Sequence, residues 1–164
     1  MRRLLLALSL ALPACKPGTA RPYFPPVTGA SQVEIELEPK TATAELADVL
    51  KSDSLPVTKV VIRDGYIETA WFHASTKRVA HGRRLGRDVV QIRAWVDFTR
   101  QGHSKLTVET VYRPLADASL SPRELERQVP PDHPTGKRVA EIVTELAKLY
   151  TREPAAEAAP QSQP

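Results

Sequence analysis

The chain has 164 residues, with 23 Lys and Arg against 19 Asp and Glu, and it contains a single cysteine. This length suits one domain with additional terminal segments, and a single cysteine excludes both an internal disulfide and a zinc site built from cysteines. The formal net charge of +4 is small, and no recognition motif accompanies it, so nucleic acid is not an expected partner.

The N-terminus has the organisation of an export signal. Arg2 and Arg3 precede an apolar run from residue 4 to residue 12, which is far shorter than the roughly 20 residues that a transmembrane helix needs. The run ends in the sequence LPAC, which places an aliphatic residue and two further residues before the cysteine. This sequence resembles the lipobox of bacterial lipoproteins, although Pro13 departs from the commonest pattern.

The resemblance implies that residues 1–14 are a signal peptide, that Leu12 and Ala14 are recognised by the lipoprotein signal peptidase, and that Cys15 carries lipid. A thiolate is a good soft nucleophile, so Cys15 is suited to forming a thioether with diacylglycerol. Two or more acyl chains give stable membrane anchoring, whereas one chain binds only marginally.

The residue after the cysteine bears on localisation. In Gram-negative lipoproteins an Asp at this position favours retention in the inner membrane, so Lys16 favours the outer membrane and its periplasmic face. Two alternatives stay open for the N-terminus. One is cleavage after Ala11 by the ordinary signal peptidase, and the other is a buried N-terminal helix with an incidental cysteine.

The distribution of prolines separates the domain from its flanking segments. Residues 15–31 include four prolines and are predicted to form an extended tether between lipid and domain. Residues 32–151 have the periodic patterns of a single domain, interrupted by a proline-rich connection at residues 113–135, called the long connection below. Residues 152–164 have no core-forming side chain larger than alanine and are predicted to be a disordered tail.

Hydrophobic periodicity predicts the secondary structure of the domain. Alternation with a period of two predicts strands, and apolar residues three and four apart predict helices. Asp64-Gly65 and Gln101-Gly102-His103 are hairpin turn sequences, and the segment from Ser121 to Glu124 has the form of a helix capping box. The predicted elements are a strand at 33–37, a helix capped by Thr41 and ending near Ser54, strands at 57–62, 66–72, 89–99 and 105–112, and a helix at 136–150.

This order of elements predicts an α+β fold, in which one antiparallel sheet of about five strands packs both helices against its apolar face. The order resembles the helix-grip domains of the outer-membrane lipoprotein BamC and related periplasmic lipoproteins. The resemblance is carried by the sequences VEIELEP, TATAELADVL and DGYIETAWF. It covers residues 32–151 and is one of architecture and context, which implies an accessory or structural lipoprotein of the envelope.

The strand at 89–99 carries the candidate partner-binding residues. Trp95 and Arg93 share its polar face, and a register that pairs Phe98 with Leu106 places Trp95 opposite Glu109. This face is predicted to be exposed, and tryptophan with arginine on an open sheet face is typical of an interface hot spot. In the alternative, the long connection folds back and covers Trp95.

A second candidate surface is basic. Residues 77–105 contain eight Lys and Arg but only two Asp, which predicts a surface for anionic lipid heads, lipopolysaccharide phosphates or an acidic partner. In the alternative, this segment is a solvated loop that keeps neighbouring strands soluble. The dense part of this basic patch consists of Lys77, Arg78, Arg83, Arg84 and Arg87.

No catalytic or cofactor signature accompanies these surfaces. The four histidines lack metal-ligand spacing, and neither a nucleophile elbow nor a phosphate-binding loop is present. The sequence therefore predicts a non-enzymatic lipoprotein without cofactor or metal, anchored through Cys15, which acts through contacts with an envelope protein. The alternative is a periplasmic carrier that holds an apolar ligand between the sheet and the C-terminal helix, with Trp71, Phe72 and Tyr112 lining the cavity.

Overall fold

The computed structural model describes residues 18–82 and 85–151. The predicted signal peptide, Cys15, the tail at 152–164 and two members of the basic patch, Arg83 and Arg84, lie outside the described residues. Within the described part of the chain, no helix is long and apolar enough to cross a membrane.

An antiparallel sheet with two helices forms the domain, which confirms the predicted α+β class. The elements are β1 (Ser31–Ile35), α1 (Pro39–Ser52), β2 (Val57–Val61), β3 (Tyr66–Thr69), β4 (Phe72–His73), β5 (Gly86–Arg100), β6 (His103–Arg113), β7 (Arg127–Gln128) and α2 (Pro134–Tyr150). Five strands form the body of the sheet in the order β1-β6-β5-β3-β2. The short strands β4 and β7 pair with β5 and β6 and account for the excess over the predicted number.

Both helices pack against the same face of the sheet, as predicted. Alternate residues of β5 and β6 point to this face and are buried against the apolar stripes of α1 and α2. The other face of the sheet has no helix and is called the helix-free face below. The central members of the main core are Ile92, Ala94, Leu106 and Val108 of the sheet, Leu46 and Leu50 of α1, and Val139, Ile142 and Leu146 of α2.

Helix α1 begins three residues earlier than predicted, because Pro39 both ends the preceding extended segment and starts the helix. Its fixed φ suits the first helical position, where no intrahelical N–H bond is lost. The expected cap at Thr41 is wrong, since Glu38 is the N-cap and its side chain makes no capping hydrogen bond. Thr43 is buried inside the helix, and its hydroxyl donates to the carbonyl of Pro39 at 2.6 Å.

The β5–β6 hairpin turns more tightly than the sequence suggests. Arg100 pairs with His103, which leaves only Gln101 and Gly102 in the turn, and a register shift between Phe98 and Arg100 then pairs Phe98 with Ser104. The predicted pairing of Phe98 with Leu106 is therefore wrong by two residues. A shift of two preserves which face each side chain occupies but changes every cross-strand partner.

Gly65 fixes the β2–β3 turn, in agreement with the predicted hairpin. A short 3-10 turn at Ile62–Asp64 precedes it, and Gly65 adopts a left-handed φ of 60°. Its carbonyl accepts a 2.8 Å hydrogen bond from the N–H of Val96, so the turn lies directly against β5. A Cβ atom at this position would lie 2.2 Å from the carbonyl oxygen of Val96.

We expect Gly65→Ala to destabilise the protein by about 2 kcal/mol or more, because it combines the left-handed cost of about 1–2 kcal/mol with a backbone clash. Gly102→Ala is the matched control, since Gly102 also has a positive φ but has open space around its Cβ position. Urea unfolding of both variants measures the difference. Equal losses in the two variants would contradict the close approach of the Gly65 turn to β5.

Candidate functional site

The predicted partner-binding residues lie on the helix-free face, but they are buried. Trp95 is 3%, Arg93 6% and Glu109 0% exposed. Trp95 pairs with Thr107 and packs its ring against Tyr66, with 5.7 Å between the ring centroids. The prediction of an exposed tryptophan and arginine surface is therefore wrong, and these residues form a second interior layer of the domain.

The N-terminal segment covers part of this face. Arg21 forms a 2.7 Å ion pair with Asp97, and the ring of Phe24 lies 5.3 Å from the guanidinium carbon of Arg93. Asp97 and Arg93 flank Trp95 on the same face of β5, so the chain between Arg21 and Phe24 crosses the position of Trp95. The described part of the predicted tether, residues 18–30, thus belongs to the domain instead of extending away from it.

The long connection folds back onto this face around Arg93 and Glu109. The alternative prediction placed it over Trp95, whose position is instead crossed by the N-terminal segment. Its capping box is confirmed: the N–H of Ser121 donates to Glu124 Oε2 at 2.8 Å, and the N–H of Glu124 donates to Ser121 Oγ at 3.4 Å. This single helical turn brings Arg123 and Glu126 onto the sheet. Sequence reasoning missed both residues, although the capping box was a local signal that the connection is ordered there.

Arg93 is the centre of a buried ion network. Its Nη1 donates to Glu109 Oε1 at 2.9 Å and to Glu126 Oε2 at 2.7 Å, and its Nη2 donates to Glu126 Oε1 at 3.1 Å. Gln91 accepts a further hydrogen bond from Nη2, and Glu68 lies 3.8 Å from Nε. The observed register sets Arg93 directly opposite Glu109, which is why the two charges meet.

Arg123 of the long connection binds the same two carboxylates as Arg93. Its guanidinium donates to both oxygens of Glu109, at 2.8 and 3.0 Å, and to Glu126 Oε2 at 3.0 Å. The ring of Phe24 contacts this arginine as well as Arg93, with its centroid 4.3 Å from the guanidinium carbon of Arg123. The N–H of Val27 also donates to Glu109 Oε2 at 2.7 Å. One carboxylate therefore binds a sheet strand, the N-terminal segment and the long connection together.

The network favours the charged forms of Glu126 and Arg93. Burial raises the pKa of the Glu126 carboxyl, but hydrogen bonds and positive charge from Arg93, Arg113 and Arg123 outweigh burial and hold the pKa below its ordinary value. Burial likewise lowers the pKa of Arg93, and its bonds to Glu126 and Glu109 outweigh that effect and raise it. Because the arginines and carboxylates bind one another, the network joins β5 and β6 to the long connection.

The described members of the basic patch differ in their contacts. Lys77 lies 3.1 Å from Asp53 Oδ2 and also donates to the Asp53 carbonyl, so it is directed toward the end of α1. Arg78 and Arg87 are exposed. Arg83 and Arg84 lie outside the described residues, and the basic patch stays a prediction.

The predicted ligand cavity is only partly present. A cleft of about 210 Å³ lies between the sheet and the start of α2, and its lining includes Phe72 and Val139. Trp71 instead lies in the apolar cluster of the helix-free face, with the Arg113 guanidinium carbon 4.5 Å from its ring centroid. Tyr112 packs against the main core. The expectation that Trp71 and Tyr112 line the cavity is therefore wrong.

A broader, open groove lies at the end of the sheet where β5 begins and β6 ends. Its volume is about 570 Å³, and its apolar lining includes Leu85, Leu120 and Leu125. Leu115, which follows β6 directly, is 53% exposed. This end of the domain, formed by residues 74–82, 85–86 and 113–125, is called the loop end below.

Within residues 18–82 and 85–151 no group of three or more histidine, cysteine, aspartate or glutamate side chains is arranged to hold a metal ion. Comparison of the chain with protein-family models and with curated proteins found no match. The function is therefore inferred from the residues of the chain itself.

We expect Arg93→Ala to destabilise the protein by about 3–5 kcal/mol, because it leaves buried carboxylates without their central cation. Arg100→Ala is the control: Arg100 lies on the same strand, but its pair with Glu34 is exposed, and such pairs are worth about 1 kcal/mol or less. Urea unfolding of both variants measures the difference. A similarly small loss in both variants would contradict the buried network.

Proposed function

We propose that the chain is a lipoprotein of a double-membraned bacterium, anchored through Cys15 at the periplasmic face of the outer membrane, which acts through contacts with an envelope protein. The observation that carries the proposal is the lipobox-like sequence ending at Cys15, followed three residues later by a chain segment that is bound to the domain. Anchor and domain are then directly coupled.

The contacts of this segment support the coupling. The Gly18 carbonyl accepts a 3.2 Å hydrogen bond from Arg63, and the Ala20 N–H donates to Asp64 at 2.7 Å. Lys59 donates to the carbonyl of Ala20 at 2.7 Å. A lipid on Cys15 would therefore hold the β2–β3 turn close to the membrane and leave the loop end directed away from it.

The loop end supports an interaction with a protein partner. Its open groove is lined by leucines from two loops, and large apolar side chains such as Leu115 and Leu120 are exposed there. Contiguous exposed apolar surface is typical of interaction sites. Arg78 and Arg87 are exposed on the chain flanking the groove, which favours a partner with an apolar side chain and nearby carboxylates.

The carrier alternative has less support. The cleft beside Phe72 measures about 210 Å³, which is below the roughly 300 Å³ at which small-molecule sites begin. Asp53 at its rim is bridged by Lys77 and by Arg138, at 3.1 and 2.9 Å. These ion pairs join the end of α1 to α2 and to the loop between β4 and β5 at the rim of the cleft.

The test combines the anchor with the partner surface in a Gram-negative host. Wild-type protein is expected to carry three acyl chains by intact mass and to fractionate with the outer membrane, whereas Cys15→Ser protein is expected to lack both properties. A photo-crosslinking residue at position 120 of the lipidated protein is expected to give a discrete adduct with an envelope protein. The same residue at Glu141, an exposed position on α2, is the matched control.

Two results would contradict the proposal. An unmodified, soluble wild-type protein would eliminate the anchor. A lipidated protein that gives no adduct from position 120, or the same adducts from positions 120 and 141, would eliminate the loop end as the partner surface.

A further inference from the structure

The end of the domain opposite the loop end is formed by residues 38–41, 62–65 and 96–102, and is called the turn end below. Hydrogen bonds join its parts: the N–H of Gly102 donates to Glu38 Oε1 at 2.8 Å, and the N–H of Val96 donates to the Gly65 carbonyl at 2.8 Å. The start of α1 and both hairpin turns therefore form one continuous surface.

Two large apolar side chains are exposed on this surface. Phe98 continues the core-facing series of β5 beyond the cover of the helices and is 64% exposed, and Ile62 in the neighbouring turn is 38% exposed. Both line the same open groove of about 610 Å³. Exposed apolar side chains that share one groove favour an apolar contact.

The charges around this groove are balanced. Three cations and three carboxylates line it, and several of them are already engaged with one another, as in the 2.7 Å pair of Arg21 with Asp97. The surface therefore has no strong preference for an anionic ligand, and apolar contact is its main means of binding. The charged members are Arg21, Lys40, Arg63, Glu38, Asp64 and Asp97.

The length of the chain relates this surface to the predicted anchor. Gly18 is bound to Arg63 of the turn end through a 3.2 Å hydrogen bond. Three residue steps separate Cys15 from Gly18, and three fully extended residues span at most about 11 Å. A lipid on Cys15 would therefore enter the bilayer within about 11 Å of Gly18, so the turn end cannot lie far from the membrane.

We propose that the turn end is the membrane-facing surface of the lipidated protein, with Phe98 and Ile62 in contact with the boundary between phospholipid head groups and acyl chains. This inference rests on the proposed lipidation of Cys15 and adds an orientation to it. Apolar side chains beside a lipid anchor bury surface in the interface and strengthen attachment. The balanced charges suit a zwitterionic phospholipid surface, and the loop end then projects toward the periplasm.

The experiment uses the full chain, purified from a Gram-negative host and reconstituted in phosphatidylcholine–phosphatidylethanolamine vesicles that contain a spin-labelled lipid. The thioether consumes the thiol of Cys15, which is the only native cysteine, so a cysteine introduced elsewhere is the sole site for a fluorescent label. Phe98→Cys and Ile62→Cys report on the turn end. Leu115→Cys is the matched control, because it is similarly exposed but lies at the loop end.

The spin-labelled lipid is expected to quench the label at positions 98 and 62 at least about threefold more strongly than at position 115, because interfacial side chains lie about 5–10 Å inside the boundary. Intact mass is measured on the same samples. Absence of lipid would overturn the anchor together with this inference. Lipidated protein with equal quenching at all three positions would overturn the orientation alone.

Discussion

The buried pairing of Arg93 with Glu109 and Glu126 is the interaction on which the helix-free face depends. Taking an ion out of water costs several kcal/mol, and a buried pair repays that cost only if its hydrogen bonds are complete. Arg93 and Glu109 come from adjacent strands, whereas Glu126 comes from the long connection. Folding of the sheet alone would leave these charges incompletely paired, so the connection must dock for the face to be stable.

The same network determines where the N-terminal segment lies. Glu109 accepts a hydrogen bond from the N–H of Val27, and the ring of Phe24 contacts the guanidinium groups of both Arg93 and Arg123. Planar guanidinium groups pack well on aromatic rings, and removal from water strengthens that attraction. The segment that follows the predicted lipid site is thus part of the folded domain. If Cys15 is lipidated as proposed, this docked segment would give the domain a defined orientation relative to the bilayer.

Most elements of the fold were predictable because their signals are local. The alternation in β5, the apolar stripe of α2 and Asp64-Gly65 each require only a few neighbouring residues to be interpreted. The helix-free face was not predictable, because its burial depends on residues more than twenty positions away, such as Glu126 and Phe24. The two-residue error in the β5–β6 register also placed Trp95 opposite Glu109, which concealed the pairing of Arg93 with Glu109. The polar residues on this face of β5 therefore predicted a solvent-exposed surface, whereas in the structure they belong to a buried ion network.

Amide hydrogen exchange of the N-terminal segment tests this account most directly. If the network holds the segment on the sheet, the N–H of Val27 will exchange about as slowly as that of Ile92 in β5, because both are released only by cooperative unfolding. Exchange of the Val27 N–H at the rate of an unstructured peptide, while the N–H of Ile92 stays protected, would contradict the account. The segment would then be a free tether, and the helix-free face would be open to solvent.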